Sequence, residues 1–151
     1  GAVSVRPVEA ADEERWLELW RAYNQLHGMD VPDDVSYSTW DRIISGQYNM
    51  GCLVACEWPY GAVLGFINYV VHPRTLSMRD ACNLEDLYVE PEARGKGVGK
   101  LLCEALKHMA ERRGLSHVYS NTPASNEPMC KLYEQIATKD DFVRYVMPLE
   151  A

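Results

Sequence analysis

A chain of 151 residues with 47% apolar and 25% charged side chains has the size and composition of one globular domain, residues 1–151, with a sizeable core. A formal net charge of −7 argues against a nucleic-acid partner, which requires a basic face. No apolar run approaches the roughly 18 residues that span a bilayer, and no basic-then-apolar leader opens the sequence, so the expectation is a cytoplasmic protein with no membrane partner.

In chain order, residues 4–8 read as a short strand. A helix is predicted from Ala11 to about Gly28, with Asp12, Glu13 and Glu14 at its positive start. Trp16, Leu19, Trp20, Tyr23 and Leu26 recur at helical spacing as its buried stripe. Residues 27–34 read as loop. A second helix is expected over 38–45, with Trp40, Ile43 and Ile44 inward. Residues 52–58 and 62–71 form a predicted hairpin turned by Pro59, Tyr60 and Gly61, and 79–89 is the next strand.

From Val98 onward the pattern is unusually regular. Val98, Leu101, Leu102, Ala105, Leu106, Met109 and Ala110 keep one face of a third helix, Lys100, Glu104, Lys107, His108 and Glu111 the other, and Gly114 ends it. Residues 117–121 are a strand, 126–136 a fourth helix with Pro128 in its first turn, and 142–149 a last strand. Five cysteines (52, 56, 82, 103 and 130) without an export signal are expected to be reduced, and their spacing fits no zinc pattern, so no metal site is expected. The order β-α-α-β-β-β-α-β-α-β predicts an α/β fold with a mixed sheet covered by helices.

The segment from Leu84 to Lys100 runs from strand through a glycine-rich turn into that third helix. Glycines at 95, 97 and 99 let successive backbone N–H groups converge, and the helix adds its positive end, so the expected guest is a phosphate or pyrophosphate. Two phosphate loops fail by counting. A Walker loop needs a glycine six residues before its lysine and Ser or Thr after it, whereas Lys100 has Arg94 and Leu101 there. The dinucleotide fingerprint needs a sixth-position glycine, and Lys100 stands in that place.

Arg94-Gly95-Lys96-Gly97-Val98-Gly99-Lys100 is similar to the Arg/Gln-x-x-Gly-x-Gly/Ala signature of the GCN5-related N-acetyltransferases. The run from Asn126 through Leu132 and Tyr133 resembles the family's Asn-x-x-x-x-x-Leu/Phe-Tyr segment, and its Asn126-Glu127-Pro128 head resembles the diamine acetyltransferases, as does 84–89. Residues 136–145 look like a smaller group typified by yeast histone/polyamine acetyltransferases. The resemblance implies the acyl-CoA N-acyltransferase fold: a mostly antiparallel central sheet with a β-α-β cofactor unit, flanked by helices.

It also implies roles. Acetyl-CoA is the expected cofactor, its pyrophosphate on Gly95, Lys96, Gly97, Val98, Gly99 and Lys100, with Arg94 or Lys96 toward the adenosine phosphates. The backbone of Leu87, Tyr88 and Val89 would pair with the pantetheine arm, one N–H polarising the thioester carbonyl, and Asn126 would hold the same arm. Glu85 is the candidate proton acceptor, with Asp86 its rival, because neighbouring strand residues point to opposite faces unless a bulge intervenes. Tyr133 is the candidate proton donor.

Tyr23, Asp30, Asp33 and Tyr37, with Asp34 and Trp40, are candidates to bind a cationic amine through charge and cation–π contacts, the alternative being a solvated acidic turn. His27 and His72 are secondary base candidates. The expected acceptor is a small polyamine or amino-acid-like amine; a protein lysine or N-terminal amine is the enzymatic alternative, and a non-catalytic acyl-CoA sensor the other. A single strand after the fourth helix, where the family commonly has a hairpin, implies pairing with a second subunit and hence a homodimer.

Overall fold

A computed structural model describes residues 2–58 and 61–150. The chain divides into two compact units, Gly1–Asn121 and Thr122–Ala151. In the first, β1 (Val3–Pro7) leads through a 3-10 turn (Ala10–Asp12) to α1 (Glu13–Leu26) and α2 (Asp33–Ser45). Then come β2 (Met50–Glu57), β3 (Val63–His72), β4 (Ala81–Val89), a 3-10 turn (Pro91–Ala93), α3 (Val98–Arg112) and β5 (Val118–Tyr119). The sheet order is β1-β2-β3-β4-β5, antiparallel up to β4, with β5 parallel to β4 at Cys82 and Asn83 only. The expected mixed, mostly antiparallel sheet is therefore present; the predicted turn at Pro59 and Tyr60 lies outside the described residues.

The core on one face of the sheet is aromatic. Trp16 stacks on Trp20 at 5.2 Å between ring centroids, Trp40 lies 5.3 Å from Trp16, and Phe66 and Tyr88 close the group from the sheet. The buried face of α1 runs through Trp16, Leu17, Leu19, Trp20 and Asn24, whereas Leu26 is 63% exposed, contrary to expectation. At about 100° per residue Leu26 falls only about 20° from the buried Leu19, so its exposure comes from its place as the last residue of α1 and not from its face. Ile44 is likewise exposed, because α2 turns Ser36, Thr39, Trp40 and Ile43 inward. Helix α3 matches its expected stripe, and Gly114 ends it at φ +69°, where an L side chain is strained.

Two elements differ most from the sequence reading. α2 begins at Asp33, not 38: Pro32 stands at its cap, its carbonyl accepts from Val35 and Ser36, and Asp33 and Asp34 occupy the first turn. A proline followed by acidic residues is a helix-start signal that outweighs the loop composition around it. In the second unit α4 (Glu127–Ile136) is present, but the expected strand over 142–149 is not. Those residues carry no strand assignment, and Phe142, Tyr145, Met147 and Leu149 stand about nine-tenths exposed. The strand-like pattern is there; among the described residues no strand pairs with it.

At the start of the chain, Arg6 grips the buried Asp12 with two hydrogen bonds of 2.8 and 2.9 Å, and Asp12 also accepts from Glu9 N–H at 2.8 Å. The Arg6 bond holds the Asp12 carboxyl below the usual range, against burial. Its contribution is present above the unfolded value near 3.9 and is lost as pH falls through the lowered native value. Arg6→Ala is expected to cost about 1–3 kcal/mol at pH 7, at the lower end because Arg6 is a third exposed. Denaturant titrations should show the gap from wild type narrowing at pH 3.

Candidate active site

The loop after β4 is built for an anion. Gly95 and Gly97 adopt φ +77° and +79°, and a Cβ at either would meet no protein atom within 4 Å, so the space above the loop is open. None of the backbone N–H groups from Gly95 to Lys100 has an acceptor among the described residues; the first paired one is Leu101 N–H, to Gly97 O at 3.0 Å. Six consecutive unpaired donors at the positive end of a 15-residue helix make a cradle of the kind that can take an anion such as a pyrophosphate. Lys96 and Lys100 are exposed beside it and make no ion pair among the described residues.

Arg94 is committed elsewhere. Its Nε donates to Val89 O at 2.8 Å and its guanidinium lies 5.3 Å over the Tyr88 ring, so it braces the end of β4. The Tyr88 side chain belongs to the aromatic core, which leaves only its backbone for a ligand.

Among the described residues, the outer edge of β4 past Asn83 has no partner strand. Ser120 Oγ donates to Leu84 O at 3.2 Å, and beyond that Leu87, Tyr88 and Val89 lie along an edge that β5 has left. An extended ligand with amides can pair there like an added strand.

On the other side of β4 the register with β3 shifts: Tyr69 opposes Leu84 and Asn68 opposes Asp86, leaving Glu85 bulged between them. The simple alternation of strand faces is thereby broken. Both Glu85 and Asp86 line one cavity of about 380 Å³, with α2 residues Thr39, Arg42 and Ile43 on its far wall. That volume lies within the range of small-molecule pockets, roughly 300–1,000 Å³.

The two carboxylates differ in environment. Glu85 is exposed and accepts from Asn83 Nδ2 at 2.9 Å. Burial pushes the Asp86 carboxyl up, while hydrogen bonds from Asn68 and Tyr23 and the nearby His27 pull it back. Asn68 Nδ2 donates to Asp86 at 3.2 Å, and Asn68 Oδ1 accepts from Trp16 Nε1 at 3.3 Å, which ties the carboxyl to the core. Asn68 and its network were not anticipated, although a lone Asn inside the apolar run Phe66-Ile67-Asn68-Tyr69-Val70 is a legible signal.

The expected acceptor residues scatter. Tyr23 reaches Asp86, while its ring packs on Trp20 and on the edge of His27. Asp30 and Asp33 line a different cavity beside Arg21, whose guanidinium lies 3.7 Å from Asp33. Asp34 is exposed, Tyr37 is half-exposed and lines neither cavity, Trp40 is core, and His72 binds Tyr119 at 2.7 Å. In the second unit Asn126 caps α4, accepting from Met129 N–H at 3.3 Å, and Tyr133 is half-buried on the same helix.

The cysteines are free, four of them buried. Burial pushes the Cys82 thiol to about 11 and the Cys103 thiol to about 12, so neither supplies a thiolate near neutral pH.

Residues 14–137 match the acetyltransferase (GNAT) family. The chain is 32% identical over 143 residues to the D-amino-acid N-acetyltransferase HPA3 of Saccharomyces cerevisiae, covering 95% of this chain and 89% of that one. It is 31% identical over 130 residues to an aminoglycoside N(6′)-acetyltransferase type 1 of Klebsiella aerogenes, covering 81% and 80%. The solved structure of AAC(6′)-Iy with a CoA-S-monomethyl-acetylneamine bisubstrate analogue shares the fold over the full length of both chains, at a TM-score of 0.84 and 18% identity. The open cradle and the unpaired β4 edge fit the donor this family uses, and the chain belongs to the GNAT acetyltransferase family as an acetyl-CoA-dependent N-acetyltransferase acting on amines.

Proposed function

We propose that one N-acetyltransferase domain over residues 1–151 acetylates a small primary amine, a polyamine or an amino-acid-like molecule, by direct attack in a ternary complex. The observation that carries this reading is the bulge at Glu85, which turns two carboxylates into a single cavity. A relative named for D-amino acids and another named for aminoglycosides, both small amines, support the substrate class.

Bound acetyl-CoA supplies an activated thioester: the amine nitrogen forms the new C–N bond as the C–S bond breaks. The N–H groups of Gly95 to Lys100 would hold its pyrophosphate, with Lys96 and Lys100 adding charge, and the β4 edge at Leu87 to Val89 would orient its arm; by the family resemblance Asn126 would hold the same arm. An alkylammonium has a pKa near 10, so Glu85 accepts its proton, directly or through water, to expose the nucleophilic lone pair. Tyr133 would hold a phenolic proton for the departing sulfur; the second N–H proton, lost as the adduct collapses to the amide, would pass to solvent, from which Tyr133 regains its own. Initial velocities with both substrates varied test the sequence: intersecting lines fit a ternary complex, and parallel lines contradict it.

The exposed apolar residues of 142–149 support a homodimer in which this segment pairs with a second copy. Light scattering after size exclusion at micromolar concentration should give twice the chain mass, and removal of residues 142–150 should give the monomer. A full-length chain that runs only as a monomer contradicts it.

A further inference from the structure

We infer that the cavity holding Glu85 and Asp86 selects amines that also bear a carboxylate, α-amino acids over polyamines, and that Arg42 is the residue that makes the selection. The inference rests on the amine acetylation just proposed and narrows its acceptor.

Arg42 lines the same cavity as the two carboxylates. Its Nε donates to Ser38 O and its Nη2 to Thr39 Oγ1, both at 3.3 Å, so the guanidinium is held against α2 by neutral groups. Arg6, Arg15 and Arg21 are each matched to a carboxylate, on Asp12, Glu90 and Asp33. Arg42 makes no ion pair among the described residues.

One small cavity thus presents a half-buried cation and two carboxylates, with the cation unmatched. The complement of such a wall is a zwitterion. Its ammonium faces Glu85 and Asp86, and its carboxylate takes the N–H groups of Arg42 that Ser38 and Thr39 leave over. A polyamine would instead set a second ammonium against a guanidinium, a like-charge contact. Ile43, Met50 and Val70 also line the cavity and offer an apolar surface to an amino-acid side chain.

The test compares thiol release at saturating acetyl-CoA with leucine (both enantiomers), leucinamide and spermidine. Leucinamide keeps the amine and side chain and lacks only the carboxylate; its less basic nitrogen biases the comparison against the inference. At least one leucine enantiomer should exceed leucinamide in kcat/KM by about 10-fold or more, the size expected of a charge-assisted hydrogen-bonded pair. Arg42→Gln should raise KM for that enantiomer about 10- to 100-fold with kcat little changed. It should leave the leucinamide KM and acetyl-CoA binding as they were, the latter also reporting an intact fold, and Arg42→Lys should restore part of the loss. Equal use of leucinamide, preference for spermidine, or an Arg42→Gln effect on both acceptors alike overturns the inference alone. No release with any amine overturns the acetylation reading together with it.

Discussion

Glu85→Gln is expected to lower kcat/KM for the amine by about 10²- to 10⁴-fold, the usual contribution of a positioned general base, with acetyl-CoA affinity within a few-fold of wild type. The loss should fall in kcat, because the amide keeps the shape and the Asn83 contact while removing proton affinity. Its neighbour should behave differently. Asp86 is half-buried, held by Asn68 and Tyr23, and raised in pKa by that burial. A raised native value means the ionised form is disfavoured in the folded state. The penalty is therefore full above the native pKa and absent below the unfolded value near 3.9.

Asp86→Asn is accordingly expected to raise the melting temperature at pH 7.5, the gain vanishing toward pH 4, since the Tyr23 hydroxyl can turn from donor to acceptor. An Asp86→Asn loss as deep as that of Glu85→Gln, with Glu85→Gln near wild type, would exchange the two roles. Thermal melts at the two pH values and steady-state kinetics on the same preparations decide between them.

The second large effect is on the donor side. Gly97→Val is expected to raise the acetyl-CoA dissociation constant about 10- to 100-fold, because φ +79° is forbidden to a β-branched residue and the loop must refold away from the cradle. Stability should fall by about 1–2 kcal/mol. The control is Gly114→Ala, which meets φ +69° at the far end of α3, where Gly114 N–H donates to Glu111 O and Leu115 N–H to Ala110 O. It carries the same kind of backbone strain with no ligand role, so it should lose stability and keep its affinity. Calorimetric titration with CoA and denaturant unfolding measure both quantities; an unchanged affinity in Gly97→Val contradicts the cradle.

The parts of this molecule that were legible in advance are those set by local rules. Helix α3 repeats its apolar stripe at 3.6-residue spacing, and the positive-φ turn at 95 and 97 accepts glycine at no steric cost. What escaped depends on long-range register. Nothing local in Leu84-Glu85-Asp86 says that Glu85 bulges; that follows from how β4 seats against Asn68 and Tyr69 on β3. Alternation therefore set Glu85 and Asp86 on opposite faces, although they share a cavity. Asp30 and Asp33 looked like an acceptor cluster because charge is visible in a sequence, whereas the ion pair with Arg21 is not. Residues 142–149 look like a strand because pattern reports a face, and pairing requires a neighbour.

The central claim is that the cradle at Gly95 to Lys100 and the carboxylate cavity at Glu85 work together on one amine. Its most direct measurement is thiol release from acetyl-CoA across a panel of polyamines, amino acids and a lysine peptide, with the acetylated product weighed by mass spectrometry. The prediction is amine-dependent release for a small amine, one acetylated product per thiol, nearly abolished by Glu85→Gln while CoA still binds. CoA binding with no amine-dependent release from any member of the panel would contradict it.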